Sequence, residues 1–336
     1  MDPIPPMEAL LAEALPEGSG WQYEPKWDGF RCIAMRDGND IRLWSKSGKP
    51  LSRYFPEIVA MLRRLNATRL ALDGELIITT DGAVSFDALQ LRLHPAESRI
   101  AKLSRETPAM FIAFDCLALG DRSLLHAPLT DRRAALEEMR TTEVEEALLL
   151  SPATVDRTRA LSWLARGGGA LDGVIAKRLS DPYTPGKRTM IKVKQRRTAD
   201  CVVGGFRYGS KQAGVGSLLL GLYDERGLLN HIGYTSSIAE KDREAWTERL
   251  ETIVEAPGFT GNAPGGPSRW VTARSAEWRP LRPELVVEVL YDQVTADRFR
   301  HGTKLLRSRP DKSPQQCTME QLAPPLSPAQ LKELLG

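Results

Sequence analysis

In the stretch Glu24-Pro25-Lys26-Trp27-Asp28-Gly29-Phe30-Arg31 a lysine stands among apolar residues, with an acid and a turn glycine just after it and an arginine five positions on. An amine attacks phosphorus only in its unprotonated form, which desolvation or nearby positive charge favours. Trp27 and Phe30 can supply the first, Arg31 or a bound cation the second. The chemistry open to these residue types is therefore formation of a nitrogen–phosphorus bond. The same residues also read as a plain Asp-Gly turn between two strands with Lys26 in solvent, so other parts of the chain have to decide.

Several stretches hold residues suited to the same chemistry. Asp73-Gly74-Glu75 interrupts the apolar run Leu70–Thr79, and acids inside such a strand are costly unless paired or ligated, which marks Glu75 as a candidate site residue. Thr189-Met190-Ile191-Lys192-Val193-Lys194 places Lys192 and Lys194 on one strand face, because side chains repeat every two residues. Two ammonium groups pointing the same way can surround a phosphate. Positive charge is concentrated, with eight basic residues against one acid over 177–197 and six against one over 298–312. Such runs suit a polyanionic partner, and they equally suit two solvated strand faces.

The elements that must position these residues alternate in type. Met7–Leu15 reads as an amphipathic helix. Arg31–Met35 and Ile41–Trp44 form a hairpin around Asp37-Gly38, so Lys26 precedes a strand pair at a sheet margin. Helices are expected over Tyr54–Leu65, Ser85–Leu93, Leu129–Met139 and Asp156–Arg166, the last stopped by Gly167-Gly168-Gly169, with a buried strand at Met110–Leu119. Beyond Ala199 the character changes. Cys201–Phe206, Gly216–Tyr223, Leu228–Tyr234 and Leu285–Tyr291 are short β-prone runs between glycine turns, with one long helix over Ile238–Val254, which fits an OB-type barrel. Gly258–Pro267 reads as a surface loop and Ser327–Leu335 as a terminal helix.

The spacing Lys26-x-Asp28-Gly29-x-Arg31 resembles the nucleophile motif of the covalent nucleotidyltransferases, which comprise ATP-dependent DNA ligases, RNA ligases and mRNA capping enzymes. Five further stretches resemble that superfamily's motifs in the same order: Ser45-Lys46-Ser47-Gly48 with Phe55-Pro56-Glu57, the strand around Glu75, Phe114-Asp115, Asp172-Gly173-Val174-Ile175-Ala176-Lys177 with Lys192 and Lys194, and the closing Arg309-Pro310-Asp311-Lys312. Lys46 stands where the family usually carries arginine, and Asp172 where it carries glutamate. The lead-in Phe299-Arg300-His301-Gly302-Thr303 resembles short bacterial ATP-dependent DNA ligases of the ligase C kind.

The resemblance implies an α+β nucleotidyltransferase domain with antiparallel sheets and flanking helices over 1–198, followed by an OB-fold domain over 199–336, with no further N-terminal DNA-binding domain. It implies that Lys26 forms a lysyl-AMP. Glu24, Pro25, Arg31, Lys46, Glu75 and Phe114 would bind the nucleotide, Phe114 by stacking on the purine. Lys192 and Lys194 would bind the α-phosphate, Arg307, Arg309 and Lys312 the β and γ phosphates, and Glu75 and Asp172 a Mg²⁺ or Mn²⁺ ion. The implied substrates are ATP and nicked duplex DNA, in a cytoplasmic, nucleoid-associated monomer that works in DNA repair with partner proteins the sequence does not name. A hinge near Arg197–Asp200 would let the second domain move between steps.

Composition bounds these readings. A chain of 336 residues, 42% hydrophobic and 26% charged, has the makings of about two ordinary globular domains. No apolar run reaches the ~18 residues of a membrane helix. The cysteines, Cys32, Cys116, Cys201 and Cys317, form no Cys-x-x-Cys pair, which argues against a zinc ribbon and a disulfide framework. Three alternatives stay open. An RNA ligase is separated by nicked RNA against nicked DNA, and a capping guanylyltransferase by GTP against ATP. A catalytically silent OB module would bind nucleic acid in a salt-sensitive way with no label on Lys26.

Overall fold

The structure, a computed structural model, describes residues 2–80, 83–142, 148–166, 171–195, 197–209, 214–265, 277–295, 297–322 and 328–335. The chain divides into two compact units, Met1–Gln195 with Pro324–Gly336, and Arg196–Ala323. The expected stop of a helix at Gly167–Gly169 lies outside the described residues.

The first unit carries strands β1 (Glu8–Ala12), β2 (Trp21–Trp27), β3 (Phe30–Asp37), β4 (Asp40–Ser45), β5 (Arg69–Thr80), β6 (Ala83–Val84), β7 (Ala109–Leu119), β8 (Arg122–Ser123), β9 (Leu148–Leu150), β10 (Leu171–Arg178) and β11 (Arg188–Val193). They form two sheets, ordered β4-β3-β5-β7-β8 and β1-β11-β10-β2, with β6 on β5 and β9 on β7. Ladders in this unit are antiparallel except β1 on β11 and β9 on β7. Helices α1 (Pro56–Arg64), α2 (Phe86–Arg92), α3 (Glu97–Glu106), α4 (Leu129–Thr142) and α5 (Arg157–Arg166) complete the unit.

Strand β5 shows how the sequence makes this arrangement. Its even-numbered residues Leu70, Leu72, Leu76 and Ile78 join a core with Ile58, Met61 and Leu62 of α1. Those three recur at helical spacing behind Pro56 at the start of the helix. The odd-numbered residues face the opposite way: Ala71 packs with Ile33, Leu117 and Tyr183, and Ile77 with Trp27, Ile112 and Leu171. Each fully buried aliphatic side chain contributes roughly 1.5–3 kcal/mol, so the register is strongly specified on both faces. The period of two then carries Asp73 and Glu75 onto the face that meets β2 and β10.

The second unit is a barrel of OB type. Strands β12 (Arg197–Tyr208), β13 (Val215–Tyr223), β14 (Leu229–Thr235), β15 (Arg279–Pro280) and β16 (Val286–Tyr291) are followed by Lys304–Ser308. The sheet path is β14-β13-β12-β16 and then Lys304–Ser308, with β15 on β12. A backbone bridge from Thr235, the end of β14, to Thr303 joins the two ends of that path. One apolar cluster, from Ala199 to Leu322, fills the interior.

Four expectations are corrected. Met7–Leu15 is not a helix; β1 pairs with β11 from Ala9↔Met190 to Ala12↔Val193 and leaves Leu10 and Leu11 exposed, so backbone pairing overrides the helical spacing of its leucines. The helix expected over Ile238–Val254 is confined to Arg243–Glu251 after a short turn at Glu240–Asp242. The residues expected to act as a hinge, Arg197–Asp200, pair with β16 from Arg197↔Tyr291 to Asp200↔Glu288 and so belong to the barrel. The terminal helix Pro328–Leu335 belongs to the first unit and not to a second domain running to 336, because Leu331 packs with Trp27, Ile77 and Leu171.

Candidate active site

Lys26 owes its surroundings to a bulge. In the β2–β10 ladder Leu171 pairs with Trp27 and Gly173 with Lys26, so Asp172 is an extra residue that the ladder leaves out. Gly173 takes φ +135°, and a Cβ there would collide with the Val193 carbonyl oxygen. The bulge turns the Asp172 side chain toward Lys26. Lys26 Nζ lies 2.6 Å and Lys194 Nζ 3.0 Å from the same atom, Asp172 Oδ2. Burial alone raises the Asp172 carboxyl, but the two ammonium groups outweigh it and hold the acid below the usual carboxylate range. Burial lowers the neighbouring Lys192 ammonium, and repulsion from Lys26, Lys194 and Lys46 adds to the effect.

Lys26 opens onto a cavity of about 1130 Å³ that is also lined by Glu24, Pro25, Arg31, Lys46, Glu75, Phe114, Lys177 and Lys192. Gly29 gives the wall its shape. A Cβ on it would collide with the Leu76 carbonyl oxygen, and without one its N–H donates to Glu75 Oε1 at 3.1 Å. Burial pushes the Glu75 carboxyl up to about 7 against the pull of Arg31 and Lys26. Arg31 forks onto Asp73, with Nε and Nη2 each 2.6 Å from a carboxylate oxygen, and its guanidinium lies 4.6 Å from the Phe114 ring centroid. Asp73 is fully buried; the Tyr183 hydroxyl donates to it at 2.6 Å and accepts from the Met7 N–H at 2.9 Å.

Two family models match the chain: that of the ATP dependent DNA ligase domain over residues 6–194, and that of the ATP dependent DNA ligase C terminal region over 211–312. DNA ligase C1 of Mycolicibacterium smegmatis is 46% identical over 337 residues, covering 96% of this chain and 95% of that protein. The chain belongs to the ATP-dependent DNA ligases. DNA ligase C of Mycobacterium tuberculosis is 43% identical over 344 residues, covering 97% of this chain and 96% of that protein. A solved structure, mycobacterial DNA ligase D complexed with ATP and MES, superposes with a TM-score of 0.52 at 29% identity, covering 94% of this chain and 98% of that one.

In this ligase the structure brings together every expected site residue of the first unit. Lys26, Asp172 and Lys194 form one ionic group. Glu24, Pro25, Arg31, Lys46, Glu75, Phe114 and Lys192 line the cavity. Lys46 reaches Glu8 Oε2 at 3.1 Å and is largely exposed. Arg307, Arg309 and Lys312 lie in the second unit, where their ionic partners are Glu288, Asp200 and Asp311. Three residues of the site were not singled out in the sequence. Lys177 is buried with its ammonium 2.9 Å from Glu24 and 3.2 Å from the Phe114 carbonyl oxygen. Asp73 holds Arg31, and Tyr183 in turn holds Asp73. Lys177 and Asp73 each sit in a quoted motif, but their partners are distant in the chain, and Tyr183 carries no local signal.

The cavity also has donors for a hard cation. Glu75 and Asp172 offer carboxylate oxygens beside Lys26, and among the described residues neither histidine nor cysteine lines the cavity. Among the described residues no group of three or more His, Cys, Asp or Glu stands together, so phosphate and water oxygens would complete the shell. That mixture suits Mg²⁺ or Mn²⁺ better than a transition metal held by soft ligands.

Proposed function

We propose that this ligase seals nicks in duplex DNA through a lysyl-adenylate on Lys26. The observation that carries the reading is the junction of Lys26 and Lys194 at Asp172 Oδ2, on the wall of a cavity large enough for a nucleotide. Lys26, having shed a proton, attacks the α-phosphorus of ATP; the Nζ–P bond forms as the bond to pyrophosphate breaks. The adenylyl group then passes to the 5′-phosphate of the nick, and the adjacent 3′-hydroxyl displaces AMP.

The side chains act by placement and charge. Lys192 and Lys194 hold the α-phosphate, and Arg307, Arg309 and Lys312 the β and γ phosphates. Glu24, Pro25, Arg31 and Lys46 contact the nucleotide or the DNA phosphate beside it. Phe114 offers a ring face to the purine, with Arg31 and Lys177 lying 4.6 and 4.9 Å from its centroid. Glu75 and Asp172 would hold a divalent cation, which when bound would supply positive charge to the α-phosphate. The ligase works as a monomer in the cytoplasm, near the nucleoid, in DNA repair with partner proteins that bring it to breaks. No helix among the described residues is long and apolar enough to cross a membrane.

A chase experiment tests this reading. Protein labelled with α-labelled ATP is freed of nucleotide and given a nicked duplex with a 5′-phosphate. The label should leave the protein, appear on the DNA and end as AMP beside a sealed strand. Label that stays on protein given nicked DNA but moves to nicked RNA would overturn it, as would equal labelling by GTP.

A further inference from the structure

The basic residues near the end of the chain are not presented to solvent as a plain positive patch. In the barrel Asp200 of β12 pairs with Glu288 of β16, which pairs with Arg307 of the neighbouring strand. Residues directly opposite across a sheet project from the same face, so these three form a transverse row. Arg309, two positions beyond Arg307, extends the pairing through its N–H to the Val286 carbonyl at 2.8 Å and returns to that face.

Asp200 is the centre of the group. Its carboxylate accepts from Arg309 Nη1 at 2.8 and 3.0 Å and from Lys312 Nζ at 2.7 Å. Its backbone is pinned on both sides by one side chain: Gln321 Oε1 accepts from the Asp200 N–H at 3.0 Å, and Gln321 Nε2 donates to the Asp200 carbonyl at 3.1 Å. Asp200 is only 8% exposed. Arg309 gives its Nε and Nη2 to Asp311, so every nitrogen of its guanidinium is engaged inside the unit. Among the described residues Lys312 has one ionic contact, to Asp200, on a three-donor ammonium, and Arg307 meets Glu288 through Nε.

We propose that Asp200 is a positioning residue for self-adenylation: pinned by Gln321, it fixes Lys312 directly and through Arg309, so that Lys312 and Arg307 offer their remaining donors to the triphosphate while Arg309 serves as the brace. The proposal rests on the reading that this cluster binds the β and γ phosphates, and within it gives Arg309 the part of a brace in place of a direct contact. It adds that the cluster works because an acid outside the motif holds it. A long lysine left to itself samples many rotamers, and a misplacement of about 1 Å costs on the order of 100-fold in rate.

The test uses the full chain and Asp200→Asn, which keeps the shape and removes the charge. Self-adenylation is measured against ATP concentration, together with sealing of a nick that already carries a 5′-adenylate and so needs no triphosphate. The expected result is a kcat/KM for ATP lowered about 30- to 100-fold with a raised KM, and pre-adenylated sealing within about twofold of the parent. Parental ATP kinetics in Asp200→Asn overturn the proposal. Equal loss in both assays overturns it too, since that marks a structural role. Should Asp200→Asn not fold, Gln321→Ala, which releases the pin and a bond to the Thr318 carbonyl, must show the same split. Lys312→Ala separates the two layers. If it leaves self-adenylation intact, the phosphate reading fails; if it impairs self-adenylation while Asp200→Asn does not, only the positioning role fails.

Discussion

Replacing Asp172 by asparagine strikes the ionic junction that places Lys26. The two ammonium nitrogens contact one oxygen at 2.6 and 3.0 Å, so they lie no further apart than about 5.6 Å, those contacts end to end. At an effective dielectric of about 20 each contact is worth roughly 6 kcal/mol of attraction, and the repulsion between the two ammonium groups is at least ~3 kcal/mol. The cost of burying the carboxylate cancels much of the attraction, which leaves a net loss of about 2–4 kcal/mol when the charge is removed and the lysines face each other alone. Asp172→Asn should lower the unfolding free energy by that amount and cut self-adenylation at least ~100-fold. Thermal or urea unfolding reads the first, and incorporation of α-labelled ATP at fixed metal the second. Asp172→Glu keeps the charge one methylene further out and should retain activity within about tenfold. If Asp172→Asn were labelled within threefold of the parent, the carboxylate would be a bystander and the bulge an accident of the sheet.

Other perturbations probe separate parts of the account. Tyr183→Phe leaves the buried Asp73 short of one donor and the Met7 N–H without its acceptor; the expected cost is about 1–3 kcal/mol in stability, with KM for ATP raised more than kcat falls, read by unfolding and adenylation kinetics. Gly173→Ala collides with the Val193 carbonyl at a backbone angle that L-residues avoid; self-adenylation should fall below a tenth of the parent, and a fully active variant would contradict the bulge. Burial and the nearby Arg298 and Arg207 push the His231 imidazole down to about 3. The unfolded chain takes up that proton below about 6.5 and the folded chain does not, so this group's contribution is whole above that pH and is lost as pH falls toward 3, at about 1.4 kcal/mol per unit. His231→Asn should flatten the pH dependence of unfolding between pH 6 and 4; an unchanged slope would refute the assignment. Leu331→Asp buries a charge against Trp27 and Leu171 and should lower the melting temperature of the first unit, as followed by calorimetry.

What could be read in the sequence was local. The alternation running through β11 already told that Lys192 and Lys194 point one way, and the hairpin around Asp37-Gly38 already put Lys26 next to a strand pair. What could not be read depends on register between distant strands. That Asp172 is an extra residue follows only from the pairing of Leu171 with Trp27 and Gly173 with Lys26. The holds of Tyr183 on Asp73, Lys177 on Glu24 and Asp200 on Lys312 join residues far apart in the chain. β1 misled because its leucines recur at helical spacing, while its backbone is claimed by β11. Helix α3 was missed because it buries only Ile100, which leaves almost no apolar stripe to see.

The central claim is that one amine, Lys26, carries the adenylyl group. Incubation with α-labelled ATP and a divalent metal, followed by digestion at neutral to alkaline pH, which spares the acid-labile nitrogen–phosphorus bond, and mass analysis of the labelled peptide, tests it in one step. A single AMP adduct on Lys26 and no label in Lys26→Ala are the expected result. Label on another residue, or a Lys26→Ala protein that still joins strands from ATP, would contradict it.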